Sequence, residues 1–258
     1  MNPRNGLLLI ILAITTNFIH AQETGWRKIE NTAFASKEKL IFNIRWGMIN
    51  AGEAVMEVSG IETINGHDSY HIITTAKSHP FFDGMYKVRN ENESWIDLTS
   101  FCSLKYIQNQ REGGYIKKQS LFFDYIEMKY TMIEHGNDLN DIKTVQGAIP
   151  MYTQDVLSSL YFLRTQPLEQ GKEYYVNTQS GSINYPLRIV VYKKETVQVP
   201  AGKFECYVVE PFLMKNTGIF RSRGQVWIWF TADSRKIPVL MKSKFLIGSI
   251  TAELISIQ

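Results

Sequence analysis

The sequence predicts a mainly antiparallel all-β protein: a large, twisted sheet rolled on itself or left as an open barrel, with one significant helix near 153–164. Three observations carry that expectation. Apolar side chains alternate with a period of two along most of the chain, as half-buried strands require. Turn signals rich in Gly, Asn and Pro separate the alternating runs. One stretch alone changes to helical spacing. A sheet with so many strands hides its edges by rolling, and a rolled sheet of this size can enclose a cavity.

In Lys39–Gly47, Leu40, Phe42, Ile44 and Trp46 fall on one face, and Asn43 and Arg45 on the other. Glu53–Ser59 repeats the rhythm with Ala54, Met56 and Val58. Ile49–Gly52 between them reads as the turn of a hairpin. Asn65–Gly66 is a strong hairpin signal, because both residues tolerate positive φ. It joins a run over 58–64 to one over 69–76. Further strands are expected at 85–97, 101–111, 114–124 and 125–134, with Gly113–Gly114 as a turn and Asn137–Asn140 as another. Segment 136–152 shows the weakest pattern and is the expected seam if the domain divides. Beyond it, strands are expected at 173–178, 185–199, 203–211, 223–231, 237–246 and 249–257. Pro200–Ala201–Gly202 and Asp233–Ser234–Arg235 supply turns between them.

The exception is Thr153–Arg164, where Val156, Leu157, Leu160, Tyr161 and Leu163 follow helical spacing. Thr153 is placed as the N-cap, with Asp155 in the first turn and Arg164 in the last, each where the helix dipole favours its charge. Pro167 stops further extension.

Residues 1–21 stand apart. Arg4, the apolar run Leu7–Ile19 and the Ala21–Gln22 junction read as a cleavable secretory signal. Thr15, Thr16 and Asn17 interrupt a run already short for a membrane span. No Cys follows it, so a lipid anchor is not expected. The expectation is an exported periplasmic or secreted chain, residues 22–258 forming one β-rich domain without a transmembrane segment. Loss of Arg4 lowers the formal charge from +3 to +2. With no basic block, nothing calls for nucleic acid. Cys102 and Cys206 both fall in strand-like runs. Two buried free thiols are expected, with a disulfide as the alternative.

Catalytic chemistry is not written in any motif. There is no phosphate-binding loop, dinucleotide fingerprint or nucleophile elbow. His67 and His71 sit at a hairpin, off helical ligand spacing, so neither a metal nor a cofactor is expected. Glu91, Glu93 and Asp97 share one face of a strand, read as water-facing. Asp155 is read chiefly as a helix-end residue, and otherwise as a side chain facing a cleft. Asp233 and Arg235 are read as a turn closed by a local ion pair, or as the polar rim of an aromatic pocket. Trp227 and Trp229 share one face of a strand apolar on both sides. The Ser78–Tyr86 loop gathers Phe81, Phe82, Met85 and Tyr86 beside Pro and Gly, as a sticky patch or a cap on the roll. Phe220, Arg221 and Arg223 are read as a solvated turn or an anion-facing one.

Several segments carry a resemblance. They are Leu40–Ala54, Asp155–Arg164, Val199–Cys206, Trp227–Val239 and Ile247–Leu254, in that order. Together they resemble the bacterial exported domain-of-unknown-function family 3108 over roughly 36–257. The resemblance implies fold and compartment and leaves mechanism open. The leading expectation is a binding protein of the periplasm or envelope. Its ligand would be apolar or amphiphilic, a lipid or glycan, held by Trp46, Phe82, Tyr86, Trp227 and Trp229. One alternative is a hydrolase of envelope polymers acting through Asp155, Asp233 or Glu93. The other is an assembly factor that contacts an envelope protein partner through the Pro80–Tyr86 loop.

Overall fold

A computed structural model describes residues 26–136, 141–212, 225–244 and 249–258. The signal segment, the Asn137–Asn140 turn, most of the Phe212–Arg223 stretch and Ile247–Gly248 lie outside the described residues. The first half forms β1 (Lys39–Trp46), β2 (Ile49–Ile64), β3 (His67–Ser78), α1 (Pro80–Asp83), β4 (Val88–Asp97), β5 (Ser103–Glu112), β6 (Tyr115–Asp124), β7 (Lys129–His135) and β8 (Ile142–Ala148). The second half adds α2 (Val156–Thr165), β9 (Glu173–Ser180), β10 (Ile183–Val199), β11 (Gly202–Phe212), β12 (Gln225–Thr231), β13 (Pro238–Lys244) and β14 (Ser249–Ile257). The described strands make one antiparallel sheet, ordered β8 through β1, then β14 through β9. Two meanders are therefore joined by the pairing of β1 with β14, and the sheet stays open, with β8 and β9 as its edges.

Rolling brings those edges toward each other. Tyr130 on β7 donates to the Ser182 carbonyl in the β9–β10 turn at 3.1 Å. The segment just before α2 covers part of the β9 edge, through Gln154 N–H to Asn177 O and Gln179 N–H to Gln154 O, both 2.8 Å. Covered edges do not template pairing with other chains. Inside the roll, Leu40, Phe42, Val58, Ile72, Leu121 and Leu254 are fully buried. Each such side chain stabilises the fold by about 2 kcal/mol. A second apolar cluster on β9–β12 includes Val176, Leu187, Val191 and Phe230, and Leu160 and Phe162 of α2 pack against both. Cys102 and Cys206 are buried free thiols, pushed up to about 11 and about 12 by burial.

Helix α2 packs against β4 and β9, held there by charge as well as packing. Arg164 is fully buried and pairs with both carboxylate oxygens of Glu38, at 2.6 and 2.9 Å. Its guanidinium also donates to the Ala33 and Arg235 carbonyls and lies against the Phe34 and Tyr161 rings. A buried charge needs such partners, because removing one strands the other. Arg164 thus does more than complement the helix dipole. It ties the segment ahead of β1 to the helix and to the β12–β13 turn.

Four expectations need correction. The β1–β2 turn is Gly47–Met48, with Gly47 at φ +59°, and Ile49–Gly52 already belongs to β2. Gly52 is needed for close approach instead, since a Cβ there would lie 2.3 Å from the Lys77 carbonyl oxygen. The N-cap of α2 is Asp155, because its extended backbone and two-acceptor side chain meet the Leu157 and Ser158 N–H groups. Thr153 turns back to the Pro150 carbonyl. The seam at 136–152 contains strand β8. Finally, Glu91, Glu93 and Asp97 are not a uniform water-facing row. Asp97 is buried and holds the turn through Thr99 and Ser100, and Glu93 faces His71.

Candidate functional site

Cross-strand partners share a face, so register identifies what lines the roll. One inner row runs Phe42, Ala54, Ala76, Asn90, Gln110 and Lys117 across β1–β6. The next runs Leu40, Met56, Thr74, Asn92, Gln108 and Gln119. The small Ala54 and Ala76 leave space, and the amides of β4–β6 face it. A cavity of about 330 Å³ lies there, bounded across the roll by Leu157 and Leu160 of α2 and by Tyr185.

A wider cavity of about 730 Å³ forms the mouth, lined by Trp46, Phe82, Met85, Tyr86 and Ile250. Ala76 and Glu112 line both cavities, so the inner space and the mouth adjoin. Both volumes fall within the range of small-molecule sites. Helix α1 and the residues after it form one lip. Asp83 anchors that lip: it accepts from Ser78 Oγ at 2.5 Å and from Arg89 at 2.6 and 3.1 Å. Ser78 Oγ in turn accepts from the Val88 N–H at 2.9 Å. The Arg89 hydrogen bond, then that of Ser78, holds the Asp83 carboxyl below its usual range. The other lip is the β1–β2 hairpin, whose strand β2 is joined to the first by His79 N–H to Ala51 O at 2.9 Å.

Tyr86 crosses the mouth over the β5–β6 turn. A Cβ on Gly113 would lie 2.9 Å from its ring, and Gly113 also has φ +57°, so glycine serves both the turn and the ring's seat. Burial, then the nearby charge of Glu112, pushes the Tyr86 hydroxyl up. Around the opening Phe81, Met85 and Met48 are 81%, 72% and 90% exposed, an apolar rim unusual for side chains of this size.

The structure therefore places Trp46, Phe82 and Tyr86 on one cavity. It does not place Trp227 or Trp229 there. Ile228 pairs with Met241, which lines the inner cavity, so the flanking tryptophans point to the other face of the sheet. Trp229 donates to Glu195 at 2.7 Å on that side. Asp233 and Arg235 stay in the β12–β13 turn, 3.4 Å apart and about half exposed. Asp233 also bonds Thr231 and the Lys236 N–H. Asp155 is fully buried at the N-terminus of α2. Its Oδ1 accepts from two backbone N–H groups at 2.7 and 2.8 Å, and its Oδ2 from Ser94 and Ser103 Oγ, both 2.6 Å. Burial pushes this carboxyl up, and those four donors oppose the shift.

A separate polar cluster lies on the outer face. The His71 ring meets Glu62 at 2.9 Å and Ser59 at 3.1 Å through Nδ1, and Glu93 at 2.8 Å through Nε2. It stacks on Trp95 with ring centres 4.3 Å apart, and Trp95 donates to Glu62. The ring is clamped and covered, which fits a cross-strand fastening. Among the described residues no group of His, Cys, Asp and Glu is arranged to hold a metal, and no helix is long and apolar enough to cross a membrane.

What sequence reasoning missed is the amide lining. Asn90, Asn92, Gln108, Gln110 and Gln119 recur with a period of two on adjacent strands. That pattern was the available signal, and it looks the same as a solvated face.

Comparison with known proteins agrees with this architecture. A model of the family described as "Protein of unknown function (DUF3108)" matches residues 41–255. A solved β-barrel-like protein of the domain of unknown function DUF1849 from Brucella abortus is 9% identical, with a TM-score of 0.56 over 91% of this chain and 99% of that one. At such identity the likeness concerns fold alone. Two more distant structures are a Bacteroides fragilis protein described as exported, with a YmcC-like fold, and a Parabacteroides distasonis protein described as a lipoprotein. The first is 11% identical, with a TM-score of 0.34 over 91% of this chain and 100% of that one. The second is 10% identical, with a TM-score of 0.33 over 90% and 99%. No curated protein matches the chain in sequence.

Proposed function

The chain belongs to the DUF3108 family, described as of unknown function, and from that premise we propose that it is an exported envelope protein that binds an amphiphilic lipid inside its rolled sheet. The observation that carries this reading is the aromatic mouth: about 730 Å³ lined by Trp46, Phe82, Met85 and Tyr86 and adjoining a narrower interior with one amide-lined wall. Such a shape suits a hydrocarbon chain at the opening, where apolar area leaves water at about 25 cal/mol per Å², with a polar group deeper in. Export rests on the Arg4, Leu7–Ile19 and Ala21–Gln22 pattern. Asp155, Asp233 and Glu93 favour binding over hydrolysis, because each is engaged in a cap, a turn or the His71 cluster, and none of them lines either of the two adjoining cavities.

The test is titration of the full chain with N-phenyl-1-naphthylamine, which fluoresces in apolar surroundings. Saturable enhancement is expected, weakened at least about tenfold by Phe82→Asp, since a carboxylate in the mouth would have to be desolvated. No enhancement, or equal enhancement in the variant, would contradict the reading.

A further inference from the structure

The amides of the inner cavity form an ordered chain whose polarity is set at one end. The Glu112 carboxylate only accepts, so Gln110 Nε2 at 2.9 Å and Asn90 Nδ2 at 2.7 Å must both donate to it. Gln110 then presents Oε1 to Gln108 Nε2, at a longer 3.4 Å. Gln108 presents Oε1 to Gln119 Nε2 at 2.8 Å. Each link fixes the orientation of the next amide. The chain ends on Gln119 Oε1, buried in a side chain only 4% exposed and without a hydrogen-bond partner among the described residues. It lies on the wall of the 330 Å³ cavity. A buried acceptor left unpaired costs free energy, and most native proteins avoid one.

We propose that this chain is a head-group subsite that selects a neutral, hydroxyl-rich head group, so that the ligand is a glycosylated amphiphile. The inference rests on the binding reading above and adds the chemistry of the head. An acceptor at the end of the chain demands a donor from the ligand. Thr74 and Asn92 on the same wall offer further hydroxyl and amide contacts. Beside the open acceptor the wall is made of Thr74, Asn92, Gln108 and Gln119, all neutral, so a head group there gains hydrogen bonds, whereas a formal charge would be desolvated without a counter-charge next to it. The aromatic mouth, which adjoins at Ala76 and Glu112, takes the hydrocarbon.

The full chain is titrated, below the micelle concentrations, with dodecyl maltoside, dodecanoate and dodecyltrimethylammonium, which share one tail length. Maltoside is expected to bind about tenfold tighter than either charged probe, the size of one neutral hydrogen bond. Gln119→Met should remove that preference while leaving dodecanoate affinity unchanged. If Gln119→Met fails to fold by circular dichroism, Gln110→Met carries the same expectation. Equal affinity for the three probes, preference for a charged head, or a maltoside preference that survives the substitution would overturn the head-group assignment and leave the apolar mouth standing. Binding of none of them would overturn both.

Discussion

Asp155 shows how one residue can look chemical in a sequence and prove structural. It sits before Ser158 and Ser159 in a strongly patterned segment, yet all four of its hydrogen bonds go to the protein, two of them to the helix backbone. Removing the carboxylate in Asp155→Ala strands two buried N–H groups and two buried hydroxyls. A loss of about 3 kcal/mol in denaturant unfolding is expected. Asp155→Asn should cost only about 1 kcal/mol, because its Oδ1 can keep the N–H groups while the serine hydroxyls rotate to accept. Equal losses for the two variants would contradict the cap. The acidic N-cap position was legible in the sequence to within two residues. What hid the true cap was Thr153, an equally good capping type.

Strands were legible where one face is buried and unreadable where neither is. β1 through β7 alternate because the inner face packs against α2 and the far wall. β8 is exposed along nearly its whole length and gives no rhythm, so it passed for a seam. The amide-lined face of β4–β6 gave no sign of a cavity, for the related reason that a polar cavity wall and a solvent face have the same composition. At the mouth, the short element α1 is held by Asp83, and its response to acid has a definite sign. The Asp83 carboxyl titrates lower in the folded protein than its ordinary 3.8. Its contribution is therefore complete above that value and disappears as pH falls through the lower, folded one. Carbon NMR should place the Asp83 midpoint below the ordinary value in the native chain and move it back toward that value in Arg89→Gln, where the Ser78 bond remains. An unchanged midpoint would show that Arg89 does not anchor the lip.

For the whole molecule, the pairing of β1 with β14 joins two meanders into one sheet, and the two cavities on it adjoin at Ala76 and Glu112. The rolled antiparallel sheet was legible in the sequence. The sequence could not tell which aromatic strands faced inward, because the β12 strand is apolar on both faces and periodicity then carries no direction. Ala76 is the position where the whole-molecule account is most exposed to test, since it borders both cavities. The most direct measurement is mass spectrometry of lipid extracted from the purified full chain and from Ala76→Trp, whose indole would fill the junction. The account predicts an amphiphile with the native chain and none with the variant, at unchanged circular dichroism. Ligand-free spectra from both proteins, or the same ligand retained by both, would contradict it.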